Sequence, residues 1–115
     1  MNDLDVDRLN DFGFEVVQLK VLMAQFIEGL LPDFESFEGK VNEQDWDGAK
    51  TAAHSFKGML SVFASSELVR IVQALEDELK SLSQTPDRSL QTDMGVLKVR
   101  LKALHSCALA FQDRL

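Results

Sequence analysis

The spacing of the apolar residues constrains the fold of this chain more than any other feature of its sequence. Apolar side chains recur every three or four residues over most of the chain, and no convincing strand-like alternation appears. This period gathers the apolar side chains on one face of each helix, and that face must pack against another element. The pattern therefore predicts an all-α protein.

The first predicted helix is short, covering residues 6–12 and ending at Gly13. Val6 and Leu9 face inward, with Phe12 as a third inward candidate. We expect this helix to cap one end of a larger bundle.

The second predicted helix is long, covering about residues 15–41, although Gly29 and Pro32 fall inside it. Its apolar residues form one stripe: Leu19, Leu22, Met23, Phe26, Leu30, Phe34, Phe37 and Val41. A proline removes a backbone hydrogen bond and usually kinks a helix. Because the stripe continues across Pro32, we expect one helix that bends near Glu28.

Asp45 is a favourable N-cap for the third predicted helix, and Ser65 or Ser66 can cap the fourth. The third helix has a seam with alternating spacings of three and four: Trp46, Ala49, Ala53, Phe56, Leu60 and Phe63. The fourth has its apolar side at Leu68, Ile71, Val72, Leu75, Leu79 and Leu82. Its polar residues are expected mostly on the opposite side: Glu76, Asp77, Glu78 and Lys80.

Residues 83–87 are the clearest loop, in which Thr85 can cap the last helix with Pro86 at its first position. The last helix carries its stripe at Leu90, Met94, Leu97, Leu101, Leu104, Ala108 and Phe111. Four long amphipathic helices with short connections predict an antiparallel up-down-up-down four-helix bundle. We expect residues 1–115 to form a single domain.

Charge and cysteine content narrow the function classes. The chain has 115 residues and a formal net charge of -7, so it repels nucleic acid and anionic membranes, and we expect neither as a partner. Its one cysteine, Cys107, cannot form an intramolecular disulfide framework and suits a reducing compartment. The N-terminal residues lack the basic and apolar regions of a signal peptide, so we expect none, and no apolar run approaches the roughly 20 residues of a membrane span. We therefore expect a cytoplasmic protein, and a monomer.

Packing does not account for three residues of the third helix, His54, Lys57 and Gly58. At about 100° per residue, His54 lies well over 90° from the seam, in the outer sector of the helix. Lys57 lies in the same sector, nearest to the edge that borders the seam. A histidine that faces water can be a nucleophile near neutral pH, and Lys57 could neutralise an anion carried by its ring. Gly58 costs the helix roughly 1 kcal/mol relative to alanine, which close approach of another molecule would explain.

Lys50 and Ser61 share the outer sector with His54, so the histidine stands on a strip of small and basic residues. This setting suits attack by a neutral imidazole nitrogen on a phosphoryl group that was activated elsewhere, because phosphoryl transfer depends mainly on positioning and charge neutralisation. The alternative is an ordinary polar histidine on a helix surface.

These residues resemble the histidine-containing phosphotransfer (HPt) domain family. Its signature has an acidic or glycine-containing turn, often an aromatic residue, then Ala-His-Thr-Leu-Lys-Gly, and later a Leu-Glu pair. This chain reads Asp45-Trp46, then Ala53-His54-Ser55-Phe56-Lys57-Gly58, then Leu68, then Leu75-Glu76. The preceding helix is also similar, with Phe26 followed by Leu31-Pro32, and the resemblance covers about residues 14–115.

The resemblance implies that His54 is the phosphoacceptor, that Lys57 supports the phosphate and that Gly58 leaves room for a receiver domain. The chain would relay phosphate between the aspartates of receiver domains, without a nucleotide site or enzymatic turnover of its own. The implied partners are response-regulator receiver domains and a hybrid sensor histidine kinase.

Met59 and Val62 depart from the family, which usually has small residues after the glycine. Both lie outside the seam, on opposite flanks of the outer strip. They are either contacts to neighbouring helices or an apolar patch that selects a partner. The predicted docking surface accordingly contains Gly58, Ser61, Met59, Val62 and Lys50.

Two other functions are compatible with a helical bundle. One is an adaptor that binds receiver domains or other signalling proteins without being phosphorylated. The other is a haem or metal bundle that uses His54 and His105. No Glu-x-x-His pair occurs in the chain, so we expect no cofactor and no metal, and we interpret His105 as a half-exposed structural residue.

Overall fold

The computed structural model describes the backbone of residues 3–81 and 88–115, and the side chains of residues 3–80 and 93–115. Five α-helices occur in the described residues: α1 (Val6–Asp11), α2 (Val16–Asn42), α3 (Trp46–Phe63), α4 (Ser66–Ser81) and α5 (Arg88–Asp113). The predicted all-α class is confirmed. The predicted loop at residues 83–87, with its cap at Thr85 and Pro86, lies outside the described residues.

The four long helices surround one hydrophobic core. α3 packs against α2 and α4, and α5 packs against the same two helices, so the contacts form a closed ring. The largest fully buried side chains come from all five helices and include Leu9, Phe26, Phe34, Phe37, Leu60, Leu75 and Leu97. The helical bundle is therefore confirmed, whereas the up-down-up-down direction of its helices stays a prediction.

α2 is a single helix that passes through Pro32 without interruption. Seven of the eight residues predicted for its stripe are buried, and Leu22 is half-buried against the core. The core contacts on both sides of Pro32 keep the helix continuous, because the packing of an apolar stripe outweighs the loss of one backbone hydrogen bond. The predicted bend near Glu28 stays a prediction.

The turn between α2 and α3 determines where α3 begins. Gln44 adopts the left-handed region with φ 60°, and the backbone N–H of Asp45 donates to the carbonyl of Lys40 at 2.9 Å. The carboxylate of Asp45 then accepts from the N–H of Gly48 at 3.0 Å, which confirms the predicted N-cap. The seam of α3 is buried from Ala49 to Phe63 as predicted, with Trp46 half-buried against the core.

The N-terminal segment closes the corner between α3 and α4. The N–H of Asp5 donates to the carbonyl of Phe63 at 2.8 Å, and Leu4 forms an isolated bridge with Ala64. Leu9 is buried as expected, but the inward placement of Phe12 is wrong, because its ring is 52% exposed. Phe12 lies just beyond the last turn of α1, where its ring stacks on Phe14 instead of entering the core.

The structure of α4 agrees with the sequence prediction except at Glu76. Ser65 is the N-cap of α4, since the Ser65 hydroxyl oxygen accepts from the N–H of Leu68 at 3.2 Å. Asp77 and Lys80 are exposed as expected, but Glu76 is buried. The sequence prediction grouped these polar residues together, whereas Glu76 follows Val72 by one turn and so lies at the edge of the apolar face, where α3 covers it.

Candidate functional site

His54 projects from the middle of α3 on the side away from the core. Its neighbours Ala53 and Phe56 are buried, and they fix the rotation of the helix around its axis. The His54 side chain is 74% exposed. The structure thus places the predicted nucleophile where another molecule can reach it.

A buried carboxylate on α4 contacts the exposed ring. Oε1 of Glu76 lies 3.3 Å from Nδ1 of His54, and the Glu76 side chain is only 6% exposed. Its second oxygen, Oε2, accepts a hydrogen bond from Nζ of Lys57 at 2.7 Å. Nζ of Lys80 approaches Oε1 at 3.8 Å. The three cations or potential cations around Glu76 compensate the cost of burying its charge.

Lys57 is the principal electrostatic partner of Glu76. Its hydrogen bond lowers the pKa of the Glu76 carboxyl below the ordinary value of 4.5, against the opposing effect of burial, and its positive charge and the bond to His54 lower it further. Glu76 is therefore ionised at neutral pH. An ionised carboxylate only accepts hydrogen bonds, so Nδ1 of His54 must carry the proton in this contact.

The Lys57 side chain is less exposed than the helical phase indicated. It is 21% exposed, and its ammonium also donates to Oε1 of Gln73 at 2.6 Å. Gln73 in turn donates to Oδ1 of Asp77 at 2.9 Å. Because Lys57 lies at the inner edge of the strip, its long side chain crosses to α4 instead of extending into water.

The other predicted docking residues surround this cluster. A Cβ atom at Gly58 would meet no atom within 4 Å outside its own stretch of helix, so the surface there is open. The exposed Ser61 hydroxyl donates to the carbonyl of Lys57 at 2.8 Å. Lys50 pairs with Asp47 at 3.2 Å on the same helix.

Met59 and Val62 are half-buried and pack against the core. This packing agrees with the first of the two interpretations given above, in which both residues contact neighbouring helices. Their part in partner choice stays a prediction.

Sequence reasoning missed Glu76 and Gln73 as members of the site. The helical phase of α4 contained a signal for Glu76, which lies one turn after Val72 and three residues before Leu79. Lys57 has the corresponding edge position on α3. Two opposite charges at the facing edges of neighbouring helices are candidates for an interhelical pair, but periodicity alone does not show which edges face each other.

The described residues contain no group of three His, Cys, Asp or Glu side chains that could hold a metal ion. Within the same part of the chain, no helix is long and apolar enough to cross a bilayer. His105 is half-buried on α5, a helix that does not pack against α3.

The fold and the site define a class of protein: a helical bundle that presents a histidine to solvent and supports its ring with a buried carboxylate. A comparison with protein-family models matches residues 21–110 to the Hpt domain, and the chain belongs to this family. Hpt domains are histidine phosphotransfer modules of phosphorelays and not independent enzymes. Searches of curated proteins and of solved structures found no match.

Proposed function

We infer that this chain is a phosphorelay intermediate in which His54 accepts a phosphoryl group from a receiver-domain aspartate and passes it to another. One observation carries this assignment: the exposed His54 ring is bound through Nδ1 by a buried, ionised Glu76. Nε2 of His54 makes no hydrogen bond within the described residues. The ring is therefore oriented with one nitrogen held and the other available.

Glu76 determines which nitrogen reacts. Because the carboxylate requires a proton on Nδ1, the lone pair of the neutral ring resides on Nε2. As Nε2 attacks phosphorus, positive charge develops on the ring, and the adjacent carboxylate stabilises it. Glu76 thus acts as a positioning residue for the nucleophile His54.

The transfer step needs no group beyond the two proteins. The Nε2 lone pair of His54 forms a bond to phosphorus, the bond between phosphorus and the aspartyl oxygen breaks, and the aspartate leaves as a carboxylate. The proton on Nδ1 remains in the contact with Glu76. The reverse sequence on a second receiver returns the phosphoryl group to an aspartate, so the relay works in both directions.

Lys57 has one donor left for the transferred group. An ammonium has three N–H donors, and two of them bind Gln73 and Glu76. The third can reach an oxygen of a phosphoryl group on His54. Gly58 leaves the adjacent surface open to a partner's backbone. The partners that fit this role are receiver domains and a hybrid sensor kinase, with the chain acting as a monomeric cytoplasmic domain.

The experiment is phosphotransfer from a panel of purified receiver domains that have been charged with radiolabelled acetyl phosphate. We expect label on this chain that is labile in acid and stable in alkali, as for a phosphorus–nitrogen bond. His54→Gln should abolish the label. The free energy of unfolding of this variant should stay within about 0.5 kcal/mol of the wild type, because the His54 side chain is mostly exposed.

His105→Gln is the matched control, since it removes the other histidine from a helix remote from the site. Label that persists in His54→Gln, or disappears only in His105→Gln, contradicts the assignment. Full biological activity in His54→Ala would favour the unphosphorylated adaptor instead.

A further inference from the structure

A second surface feature lies on the same side of α3 as His54. An open pocket of about 330 Å³ lies between α1, α3 and α4, and it is lined by Arg8, Ser61, Ser66, Val69 and Arg70. Two arginines and two serines therefore line this pocket together with one valine. In a protein with a formal net charge of -7, such a local concentration of positive charge is selective for an acidic ligand.

The two arginines differ in how they are held. Arg8 donates to the carbonyl of Ser61 at 2.8 Å, to the carbonyl of Ala64 and to the hydroxyl of Ser66 at 3.0 Å. It also pairs with Asp5 at 3.3 Å. The Arg8 side chain is thus held in place at the side of the pocket, and Asp5 partly compensates its charge.

Arg70 has no such partners. Its side chain is exposed and makes no hydrogen bond or ion pair within residues 3–80 and 93–115. Its guanidinium can therefore bind a carboxylate with two parallel hydrogen bonds without breaking any contact in the protein. Arg70 is the member of the pocket that is available to an external anion.

The pocket is continuous with the phosphotransfer strip. Ser61 lines it and lies seven residues after His54, which corresponds to about 10 Å along the helix. A partner that buries about 800 Å² of this surface covers a region roughly 30 Å across. A receiver domain seated on His54 therefore extends over Arg70 as well.

We propose that the Arg8–Arg70 pocket is a second contact for the receiver domain and binds an acidic side chain on the receiver surface that surrounds its phosphorylated aspartate. This inference rests on the proposed phosphotransfer function and adds a specificity determinant to it. The charge of the pocket steers acidic receiver surfaces toward His54, and receivers without a carboxylate at this place bind more weakly.

The experiment compares Arg70→Glu with Lys102→Glu in the full chain. Lys102 is exposed on α5, has no side-chain partner within the described residues, and lies on a helix that does not pack against α3. Both variants change the net charge equally. With the receivers that label the wild type, we expect Arg70→Glu to slow transfer by about threefold to tenfold at low salt, and Lys102→Glu to leave it nearly unchanged.

Labelling with phosphoramidate, a small phosphoryl donor that needs no docking surface, separates the docking role of the pocket from the phosphotransfer function of His54. Equal labelling of His54 in wild type and Arg70→Glu, together with slower transfer from receivers, supports the pocket as a docking contact. Equal receiver rates in Arg70→Glu and Lys102→Glu overturn the inference and leave the phosphotransfer function intact. A wild type that no receiver labels overturns both.

Discussion

Glu76 of α4 and Asp3 of the N-terminal segment are both buried carboxylates, and each accepts hydrogen bonds from a cation on a neighbouring helix. Arg100 of α5 binds both oxygens of Asp3, with Nε 3.0 Å from Oδ2 and Nη2 on Oδ1. Lys57 of α3 binds only Oε2 of Glu76, and Oε1 faces His54. The planar guanidinium binds both oxygens of its carboxylate, whereas the compact ammonium binds one oxygen and leaves the other for a second group.

The difference separates a structural cluster from a reactive one. Oδ1 of Asp3 also accepts from the hydroxyl of Ser65 at 2.9 Å, and Arg100 extends to Glu67 at 3.1 Å, so the group joins the N-terminal segment to α4 and α5. No histidine binds this carboxylate within the described residues. The Glu76 cluster has an exposed imidazole. The same ionic pairing therefore serves packing or chemistry according to what the second carboxylate oxygen binds.

The largest expected effect is on stability, at the Asp3 cluster. Arg100→Met leaves a buried carboxylate without its cation, which should lower the free energy of unfolding by about 2–3 kcal/mol. Phosphotransfer by the folded protein should be unchanged. Denaturant titration measures the free energy of unfolding, and labelling by receiver domains measures phosphotransfer.

Lys98→Met is the control on the same helix. Lys98 pairs with Glu38 at 3.6 Å on the surface, so its loss should cost under about 1 kcal/mol. Equal destabilisation by the two variants would remove the distinction between a buried clamp and a surface pair.

The next effect is on chemistry, at the Glu76 cluster. In Glu76→Gln the introduced amide can accept from Lys57 through its oxygen, and its nitrogen then donates to Nδ1 of His54. The proton moves to Nε2, which loses its lone pair for attack, and transfer should fall by about 10- to 100-fold. Nitrogen NMR of His54 should report the change of tautomer.

Glu35→Gln makes the same charge change at an exposed position of α2 and should alter neither the rate nor the spectrum. A rate loss in Glu76→Gln without a tautomer shift would show that Glu76 acts through stability alone.

A smaller effect is the dependence of stability on pH. Burial alone would raise the pKa of the Asp3 carboxyl, but hydrogen bonds from Arg100 and Ser65 outweigh it and hold the pKa below 3.8. The pKa of Glu76 also lies below its ordinary value of 4.5. The unfolded chain therefore binds these protons first as the pH falls. Both contributions to stability are complete above about pH 5 and are lost as the pH falls toward the folded pKa values.

Denaturant titrations across the acid range should resolve the contributions of Asp3 and Glu76 to the pH dependence of stability. Glu76→Gln should remove the part that begins near the ordinary pKa of glutamate. Arg100→Met should remove or reverse the part due to Asp3, because burial then acts on that carboxyl without its main compensation. Unchanged acid profiles in both variants would mean that neither carboxylate contributes as described.

The smallest effect concerns the surface beside His54. Gly58→Ala should stabilise the protein by about 0.5–1 kcal/mol, because the added methyl group meets no atom and alanine favours the helix. Transfer from receivers should nevertheless slow, since the methyl group occupies space that the partner needs.

Gly95→Ala on α5 is equally unobstructed and should give the same stabilisation without slower transfer. Equal transfer rates in the two alanine variants would show that no partner approaches Gly58 closely.

Apolar periodicity predicted the helices well, because a stripe of spacing three and four can be buried only as one helical face. It placed Phe34, Phe56 and Leu97 in the core correctly, and it placed His54 outside. It misplaced Phe12, at the end of a short helix where a stripe has too few residues to define a face.

The sequence by itself determined the secondary structure, the apolar seam of α3 and the outward position of His54. Only the tertiary structure decided that Glu76 is buried, that Lys57 crosses to it, and that Asp3 meets Arg100 from 97 positions away. Helical phase is a local property that a few residues specify. The pairing of polar groups depends on which helix edges face each other, and that is settled only when several stripes are buried together.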